Sequence, residues 1–288
     1  MRTLKYVIIG LALCTSFSLS AQGNEFFHNF SLSCLDADCS AQELETAAKV
    51  LEKRLSLFGV NTITSDIRGE SSSIVIRIQE EQAVEGLERL LTATGKLEFL
   101  NTYSKEDMEP HIQDAKVRDM LHMDDPTDGS SPIIGQASER DAATITTYLR
   151  KVEKRHKLRH PMTFAWSKKV NDQGMLDLYA LKYENYQPVV TGSNLKTSSW
   201  THDAQTDQYL ISLTLDDSGT TSFAKATKAN IGKAIAITID QEVYAAPKVM
   251  SAITGGQLQI TGDFDQTEAA SLAAILGGGE LPVKLRME

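Results

Sequence analysis

The stretch "IAITIDQEVYAAPKVMSAITGGQLQITGDFDQTEAASLAAILGGGELPVKL", from Ile235 to Leu285, decides the fold of this 288-residue chain. Isoleucine occupies every second position as far as Ile239, and that alternation is typical of a strand with one buried face. Asp240 and Gln241 then form the predicted turn into a second strand. The opening of the stretch therefore predicts a tight hairpin.

The end of the same stretch predicts a helix followed by one more strand. Asp265 and Glu268 have the spacing of a capping box, in which each side chain satisfies a free backbone N–H at the helix start. Upstream, a strand of alternating apolar residues leads into a helix that Asp217 or Ser218 is predicted to cap and that carries Phe223. The last hundred residues thus predict an α+β unit in which glycines end the elements.

The first hundred residues predict a second pattern of strands and helices. Ser40 and Glu43 form another predicted capping box, and Gly59 ends the helix that follows because glycine adopts positive φ without steric cost. Alternation from Ile74 to Ile78 predicts a half-buried strand. The complete order is β-α-β-β-α-β, ending in the strand "KLEFLNTY", with two helices over one face of an antiparallel sheet. The predicted fold class is therefore α+β, a ferredoxin-like βαββαβ unit followed by a second α+β unit.

These patterns divide the chain into four predicted segments. They are a signal peptide at 1–21, the ferredoxin-like unit at 22–105, an insertion or linker region with a helix and a hairpin at 106–187, and the second α+β unit at 188–288. Residues 104–137 show little periodicity and are predicted to form a long loop or an insertion. A basic cluster at 150–159 is interpreted either as a solvated helix end or as a patch for an anionic lipid or an acidic partner.

The N-terminus has the pattern of a secretory signal. Arg2 and Lys5 precede an apolar stretch from Tyr6 to Cys14, and a run rich in serine and threonine ends at Ala21. An uncleaved membrane anchor is the alternative, although a span needs about 20 mainly apolar residues. The pattern predicts export to the periplasm, with the chain anchored at the membrane if the signal is not cleaved. No later stretch predicts a membrane span.

Cys34 and Cys39, in "CLDADC", are the two cysteines that follow the predicted signal. In an oxidising compartment this pair predicts a local disulfide. Two free thiols are one alternative. Half of a zinc site is another, although no second Cys or His pair lies nearby in the sequence.

Charge and residue pattern argue against two broad functional classes. The net charge of −9 disfavours nucleic-acid binding, which depends on Lys and Arg neutralising phosphate. No Ser-His-Asp, Cys-His, nucleotide or metal motif occurs in a recognisable context, so no catalytic residue, cofactor or metal site is predicted and the chain is not expected to be an enzyme. Asp216 and Asp217 are interpreted as a loop residue and a helix cap, because adjacent strand residues point to opposite faces.

Motifs spread along the last hundred residues resemble the first periplasmic domain of the SecD family of protein-export membrane proteins. The matching positions are Gly219, Phe223-Ala224, Thr227, Asn230, Gly232-Lys233, Asp240, Ala246-Pro247, Gly256, Ile260-Thr261-Gly262, Glu268-Ala269 and Leu281-Pro282. The stretches "VVTGSNL" at 189–195, "LEKRLSLFGV" at 51–60 and "GKLEFL" at 95–100 extend the resemblance. Gln241 departs from it, because the family usually has glycine there and a tight hairpin turn needs positive φ at both central residues.

The resemblance implies a SecD-type periplasmic head and base, and a function in protein export. It predicts an exported module that binds unfolded or translocating polypeptides, alongside Sec translocon components or another envelope protein. The membrane helices of the family are absent from this sequence, so no proton-driven motor is expected within it. Sheet edges and the groove between the two units are the surfaces expected to bind extended peptide. The alternatives are a structural docking domain of an envelope complex and an uncharacterised hydrolase.

Overall fold

The computed structural model describes residues 27–35, 39–60, 63–68, 72–79, 86–123, 129–155 and 161–288, so the predicted signal lies outside the described residues. In these ranges the strands are β1 (Phe27–Cys34), β2 (Ile63–Arg68), β3 (Ser73–Gln79), β4 (Leu97–Thr102), β5 (Ile133–Ala137), β6 (Met162–Trp166), β7 (Leu176–Lys182), β8 (Val190–Thr191), β9 (Leu195–Asp203), β10 (Gln208–Leu215), β11 (Ile235–Ile239), β12 (Glu242–Ala245), β13 (Gln257–Ile260) and β14 (Leu285–Met287). The α-helices in the same ranges are α1 (Ala41–Phe58), α2 (Leu87–Thr92), α3 (Lys105–Met108), α4 (Ala115–Met120), α5 (Glu139–Arg155), α6 (Asp217–Ala229) and α7 (Gln266–Gly278). None of these described helices is both long and apolar enough to cross a lipid bilayer.

The first unit consists of β1, α1, β2, β3, α2 and β14. Its sheet has the strand order β14-β1-β3-β2 with antiparallel neighbours, which is the ferredoxin-like arrangement. The α+β class is confirmed, but the last strand differs from the expectation. The fourth strand of this unit along the chain is β14 and not β4. Strand β4 instead pairs with β7, β8 and β11 in another sheet. Alternation within β4 predicts a strand but carries no information about its partner.

The first helix of this unit forms as its sequence predicts. Ser40 and Glu43 make the capping box, and Gly59 ends α1 with φ of 109°. Leu44, Leu51 and Leu55 are fully buried beneath the helix. Burial of this stripe against Ile74, Ile76 and Ile78 of β3 builds the core of the first unit.

The second unit contains the elements from β4 to α7, and its larger sheet curls until its ends meet. The strand order is β12-β11-β4-β7, and β6 pairs with β7 on the side opposite to β4. Val243 of β12 then bridges Ser167, just after β6, and accepts a hydrogen bond from Lys168 N at 2.8 Å. Aliphatic side chains and one tyrosine fill the inside of this curl, namely Leu100, Ala165, Tyr179, Leu181, Ala236 and Val243.

A three-stranded sheet of order β13-β10-β9 lies beside the curled sheet. Leu213 and Ile260 of this small sheet share a core with Phe99 of β4 and Ile237 of β11. Helix α7 begins at the predicted Asp265–Glu268 capping box and packs between the small sheet and α1. It ends at Gly278, one residue beyond Gly277, the glycine that the sequence predicts as its end.

The second unit is inserted into the first. The chain leaves the first unit after α2 and returns to it only at β14, which completes the sheet beside β1. The curled sheet contains β4, β5, β7 and β11, so it crosses the predicted segment boundaries at 105/106 and 187/188. We therefore propose boundaries near residues 96 and 284 in place of those two.

The middle of the chain is more structured than its sequence suggested. Residues 104–137 were expected to form a long loop or an insertion, and their described part contains α3, α4 and β5. Met108, Ile112, Val117 and Leu121 are buried against Leu149 of α5 and Leu178 of β7. These elements are too short to show a period, so it is their tertiary contacts that order them. The hairpin expected farther on is present as β6 and β7.

Candidate functional site

The β13 groove, a cavity of about 350 Å³, lies between α6, β11, β13 and the connection 246–256. The residues that line it are Phe99, Phe223, Thr227, Ile235, Ile237, Pro247, Lys248, Val249, Met250, Ser251, Ile253, Gln257, Leu258 and Gln259. Lys248 alone among these residues carries a charge. The groove therefore offers a mainly apolar surface with polar groups along one side.

Two aromatic rings form the floor of the groove. Phe99 of β4 and Phe223 of α6 meet edge to face, with ring centroids 5.5 Å apart and planes at 76°. Both side chains are buried. Edge-to-face aromatic pairs add about 1 kcal/mol beyond the area they bury, so this contact fixes α6 against the curled sheet.

The connection 246–256 crosses over the groove and is held at its start by backbone hydrogen bonds. Val249 N donates to Lys233 O and Gly232 N donates to Val249 O, both at 2.8 Å. Gly232 has φ of 84°, a left-handed conformation that costs glycine little. This glycine lets the chain turn from α6 into β11 while it bonds the connection.

A buried threonine holds the same connection farther along. Thr227 is fully buried, and its Oγ1 donates to Phe223 O at 2.8 Å. The same oxygen accepts a hydrogen bond from Ile253 N at 2.9 Å. A hydroxyl can donate and accept at once, so one side chain joins α6 to the connection.

Large apolar side chains stand exposed at the rim of the groove. Ile231 is 55% exposed, Met250 is 79% exposed and Ile253 is 37% exposed. The hydrogen bond from Gly232 N to Val249 O brings the backbone at Ile231 close to the backbone at Met250. Exposed apolar residues are unremarkable singly, but a group beside an apolar cavity is typical of a binding surface.

One side of the groove is the unpaired edge of β13. Leu215 N donates to Gly256 O at 2.8 Å, so Gly256 faces β10. Backbone groups of successive residues alternate in direction across an antiparallel ladder, so those of Gln257 and Gln259 point away from β10. Among the described residues no strand pairs with that side of β13. An edge of this kind can accept another extended chain.

Comparisons with known proteins agree with this geometry. Residues 169–283, which include α6, the connection and β13, match the family model "SecDF, P1 head subdomain". Residues 169–283 are thus similar to a SecDF P1 head. The match leaves residues 1–168 and 284–288, and thus the first unit and β4, outside the P1 head model.

Curated relatives match a stretch of about 100 residues at substantial identity. The protein translocase subunit SecD of Acidaminococcus fermentans is 44% identical over 99 residues, which is 34% of this chain and 24% of the relative. SecD of Acetobacter pasteurianus is 41% identical over 96 residues, 33% of this chain and 18% of the relative. SecDF of Thermus thermophilus is 40% identical over 100 residues, 35% of this chain and 14% of the relative. The chain thus matches about a quarter or less of the length of these curated relatives.

Two solved structures share the fold over a longer range than the P1 head. One, described as a membrane component SecDF that enhances protein export, aligns with a TM-score of 0.53 at 23% identity over 90% of this chain and 97% of that chain. A crystal structure of SecDF in super-membrane-facing form aligns with a TM-score of 0.55 at 24% identity over 90% of this chain and 29% of that chain. At such identity the likeness concerns the fold.

Several predicted motif positions of the P1 head converge on the groove. Phe223, Thr227 and Pro247 line it, and Gly232 and Gly256 shape its borders. A Cβ added at Gly256, where φ is 65°, would lie 2.2 Å from Thr220 Oγ1. Only glycine therefore fits where β13 begins against α6.

Other motif positions support the P1 head without lining the groove. A Cβ at Gly219 would lie 2.7 Å from Asn194 Cβ, so that glycine seats α6 on the "VVTGSNL" stretch. Asn230 caps the end of α6 through its own Nδ2, which donates to Ala226 O at 2.9 Å. A Cβ at Gly262 would lie 2.9 Å from the ring of Phe264.

Asp240 and Pro282 lie at the junction of the two units. The carboxylate of Asp240 accepts hydrogen bonds from Gly95 N at 3.1 Å and Lys96 N at 2.8 Å. Pro282 follows Leu281, whose N donates to Thr94 O at 2.8 Å. These motif positions thus fix the path of the chain between α2, β4 and β14.

Arg54 is the residue of this junction that the sequence reasoning missed. Its Nη1 donates to Leu90 O at 3.1 Å and Ala93 O at 2.6 Å, and its Nη2 donates to Thr94 O at 2.8 Å and Gly279 O at 2.7 Å. The side chain is fully buried. Burial lowers the pKa of Arg54 to about 10, and the Asp240 carboxylate opposes that change. The sequence did contain a signal for this burial, because Arg54 follows Leu51 by three residues and so lies on the apolar stripe of α1.

The predicted cysteine pair and the paired aspartates lie away from the groove. Cys34 and Cys39 are joined in the structure, with Cα atoms 6.6 Å apart, at the edge of the first unit. Asp216 is the N-cap of α6 and accepts from Gly219 N, so the cap is one residue earlier than expected. Asp217 is the first residue of that helix. Within the described ranges no group of His, Cys, Asp and Glu is arranged to hold a metal ion.

Proposed function

We propose that this chain is an exported, SecD-like periplasmic domain that binds extended polypeptide segments at the β13 groove in connection with protein export. The observation that carries the proposal is the unpaired edge of β13 beside an apolar groove. Main-chain hydrogen bonds to such an edge supply affinity, and pockets for alternate side chains supply selectivity.

The chemistry of the groove defines the segment it would bind. The outward backbone groups of Gln257 and Gln259 pair with an extended chain, and one face of that chain then lies over Phe99 and Phe223. Lys248 is the charged residue at the groove, so acidic side chains in the segment are tolerated better than basic ones. The preferred ligand is an unfolded stretch that alternates apolar and polar residues.

The connection to export rests on the relatives and on the predicted signal. The relatives are named as protein translocase subunits, and one similar structure is described as enhancing protein export. In this proposal the domain meets its client in the periplasm, near Sec translocon components or another envelope protein. Binding at the groove does not require a proton-driven motor in the same chain.

A substitution at the edge strand tests the proposal. Gln259→Pro removes the outward N–H, which an edge strand tolerates, whereas Gln259→Ala keeps that N–H and removes only the exposed side chain. We expect the proline variant to weaken the binding of a fluorescein-labelled unfolded peptide about tenfold and the alanine variant to bind as wild type does. Fluorescence anisotropy measures both. Equal affinity of the two variants would falsify strand addition at β13.

The apolar rim gives an independent arm of the same test. Met250→Ser lowers the apolar surface that the ligand buries, whereas Met250→Leu keeps it. We expect weaker peptide binding for the serine variant alone. Envelope extracts passed over the immobilised chain then separate client binding from structural docking. A stable stoichiometric partner, retained by Gln259→Pro and Met250→Ser, supports docking and counts against the proposal.

A further inference from the structure

We propose that the cleft between β6 and β12 is a second strand-accepting site, for neutral or basic extended polypeptide, and that Glu153 occupies it in the free protein. The cleft measures about 580 Å³. It lies on the curled sheet, away from β13, so the inference is independent of the β13 groove.

The backbone of β6 is unpaired on the side that faces this cleft. Tyr183 N donates to Pro161 O at 3.0 Å and Ser167 N donates to Asp177 O at 2.8 Å, so Pro161 and Ser167 face β7. By alternation, the backbone groups of Met162, Phe164 and Trp166 point into the cleft. In the part of the chain that the structure describes, β7 is the strand that pairs with β6 along its length.

The Glu153 side chain occupies the position that a backbone carbonyl of an added strand would take beside β6. Phe164 N donates to Glu153 Oε1 at 2.8 Å, and Thr163 Oγ1 donates to the same oxygen at 3.1 Å. Glu153 belongs to α5, which forms one wall of the cleft. Exposed sheet edges that are not protected recruit other strands, and a charged side chain against the edge is one form of protection.

The far wall shows how a strand would fit. At one end the cleft closes where Lys168 N donates to Val243 O and where Lys168 Nζ pairs with Glu242 Oε2, each at 2.8 Å. Toward Met162 the two strands are no longer bridged. An extended segment that enters from that open end pairs with Met162 and Phe164, which lie before the bridge between Ser167 and Val243, and extends the sheet toward β12.

Charge at the cleft selects the ligand. The lining carboxylates are Glu139, Glu153 and Glu242, against the cations Arg150 and Lys168. Lys168 and Glu242 are paired with each other. Two carboxylates therefore face one arginine, and acidic side chains are disfavoured in the ligand.

Hydrogen exchange read by mass spectrometry tests the inference at the level of single segments. The probe is a synthetic peptide of alternating valine and threonine with a lysine at each end, and its control is a fully N-methylated copy that cannot donate backbone hydrogen bonds. We expect the first peptide to slow exchange at residues 162–166 and the methylated copy to leave it unchanged. Exchange at 257–259 is recorded in the same experiment and reports the β13 groove separately.

Two substitutions test the role of Glu153. Glu153→Ala removes the competing acceptor, so we expect the peptide to bind this edge about tenfold more tightly, measured by Trp166 emission in a Trp200→Phe background. Glu153→Gln keeps an acceptor oxygen and is expected to bind within about threefold of wild type. Unchanged exchange at 162–166 in both wild type and Glu153→Ala, up to the solubility limit of the peptide, overturns the inference. Equal slowing by the methylated peptide overturns it as well.

Discussion

At the scale of single residues, Arg54 joins the two units through backbone carbonyls. Its four acceptors lie at the C-terminal ends of α2 and α7, where helices leave carbonyl groups unpaired and carry partial negative charge. A guanidinium has enough donors in a rigid plane to satisfy several of them at once. The buried cation is thereby placed where both helix dipoles favour it.

Replacing this arginine should destabilise the whole fold. We expect Arg54→Leu to lower the free energy of unfolding by about 3 kcal/mol, because several buried carbonyls lose their donor together. Arg54→Lys should recover part of that loss, since a single ammonium reaches fewer carbonyls. Urea denaturation measures each value, with the exposed Lys53→Leu as control at within about 0.5 kcal/mol of wild type. A similarly small change for Arg54→Leu contradicts this account.

The turn between β11 and β12 places two successive residues in the left-handed backbone conformation, and the second of them, Gln241, is strained. Asp240 has φ of 52° and Gln241 has φ of 71°, so both centres of the hairpin turn are left-handed. Asp240 is held there by its bonds to Gly95 N and Lys96 N. Gln241 is exposed, and a side chain in this conformation is less stable than glycine by about 1 kcal/mol.

Glycine at position 241 should therefore stabilise the protein. We expect Gln241→Gly to raise the free energy of unfolding by about 1 kcal/mol because it removes the strain. The control is Gln208→Gly, at an exposed strand position without positive φ, which should lower stability by about 0.5 kcal/mol. Thermal unfolding of the two variants gives shifts of opposite sign. Shifts of the same sign would show that φ at position 241 does not limit stability.

At the scale of elements, the connection 246–256 acts as one wall of the β13 groove although it has no regular structure. Its bonds to Gly232, Lys233 and Thr227 fix its start and its middle. The residues between those bonds are exposed and carry Met250. An irregular segment held at such points keeps its shape while its apolar side chains face outward.

Removing the threonine hydroxyl should loosen this connection. Thr227→Val keeps the shape of the side chain but leaves Ile253 N without its acceptor, so we expect a loss of about 1–2 kcal/mol in stability. The amide of Ile253 should exchange faster, and peptide binding at the groove should weaken. Thr227→Ser retains the hydroxyl and serves as the control. If exchange at Ile253 stays at its wild-type rate in Thr227→Val, the hydroxyl does not hold the connection.

At the scale of the whole molecule, α7 belongs to two cores. Ala274 and Ile275 contribute to the core of the first unit, whereas Leu272 and Leu276 contribute to that of the second. A helix that is apolar all round must be buried on all sides. The units are therefore coupled through this helix as well as through the two chain connections, and we expect them to unfold together.

A substitution at the end of α7 tests this coupling. A Cβ at Gly278 would lie 2.3 Å from Arg54 Cγ, so Gly278→Ala should cost about 2 kcal/mol by overpacking the contact between α1 and α7. Hydrogen exchange should accelerate equally at β3 of the first unit and β11 of the second. Gly255→Ala is the control, because a Cβ there meets no atom within 4 Å. Acceleration confined to one unit would refute coupled unfolding.

The amino-acid sequence alone determined the local elements of this protein. Capping boxes at Ser40 and Asp265, the left-handed Gly59 and the alternation within β3 and β11 depend on neighbours in the chain, so they could be predicted. The motif positions around Phe223 and Thr227 likewise indicated the P1 head. Backbone hydrogen bonding and steric preference act over a few residues, which is why such signals are readable.

Only the tertiary structure decided which elements pair and where surfaces meet. The residues of β4 do not indicate that it pairs with β11. Those of β14 likewise do not indicate that it completes the sheet beside β1. The role of Arg54 depends on tertiary structure, because its carbonyl acceptors come together only when the ends of α2 and α7 pack around it. The β13 groove is likewise assembled from β4, α6, β11 and β13, which are distant in the chain. Long-range burial selects those partners, because apolar faces of similar pattern are equivalent until the whole core is filled.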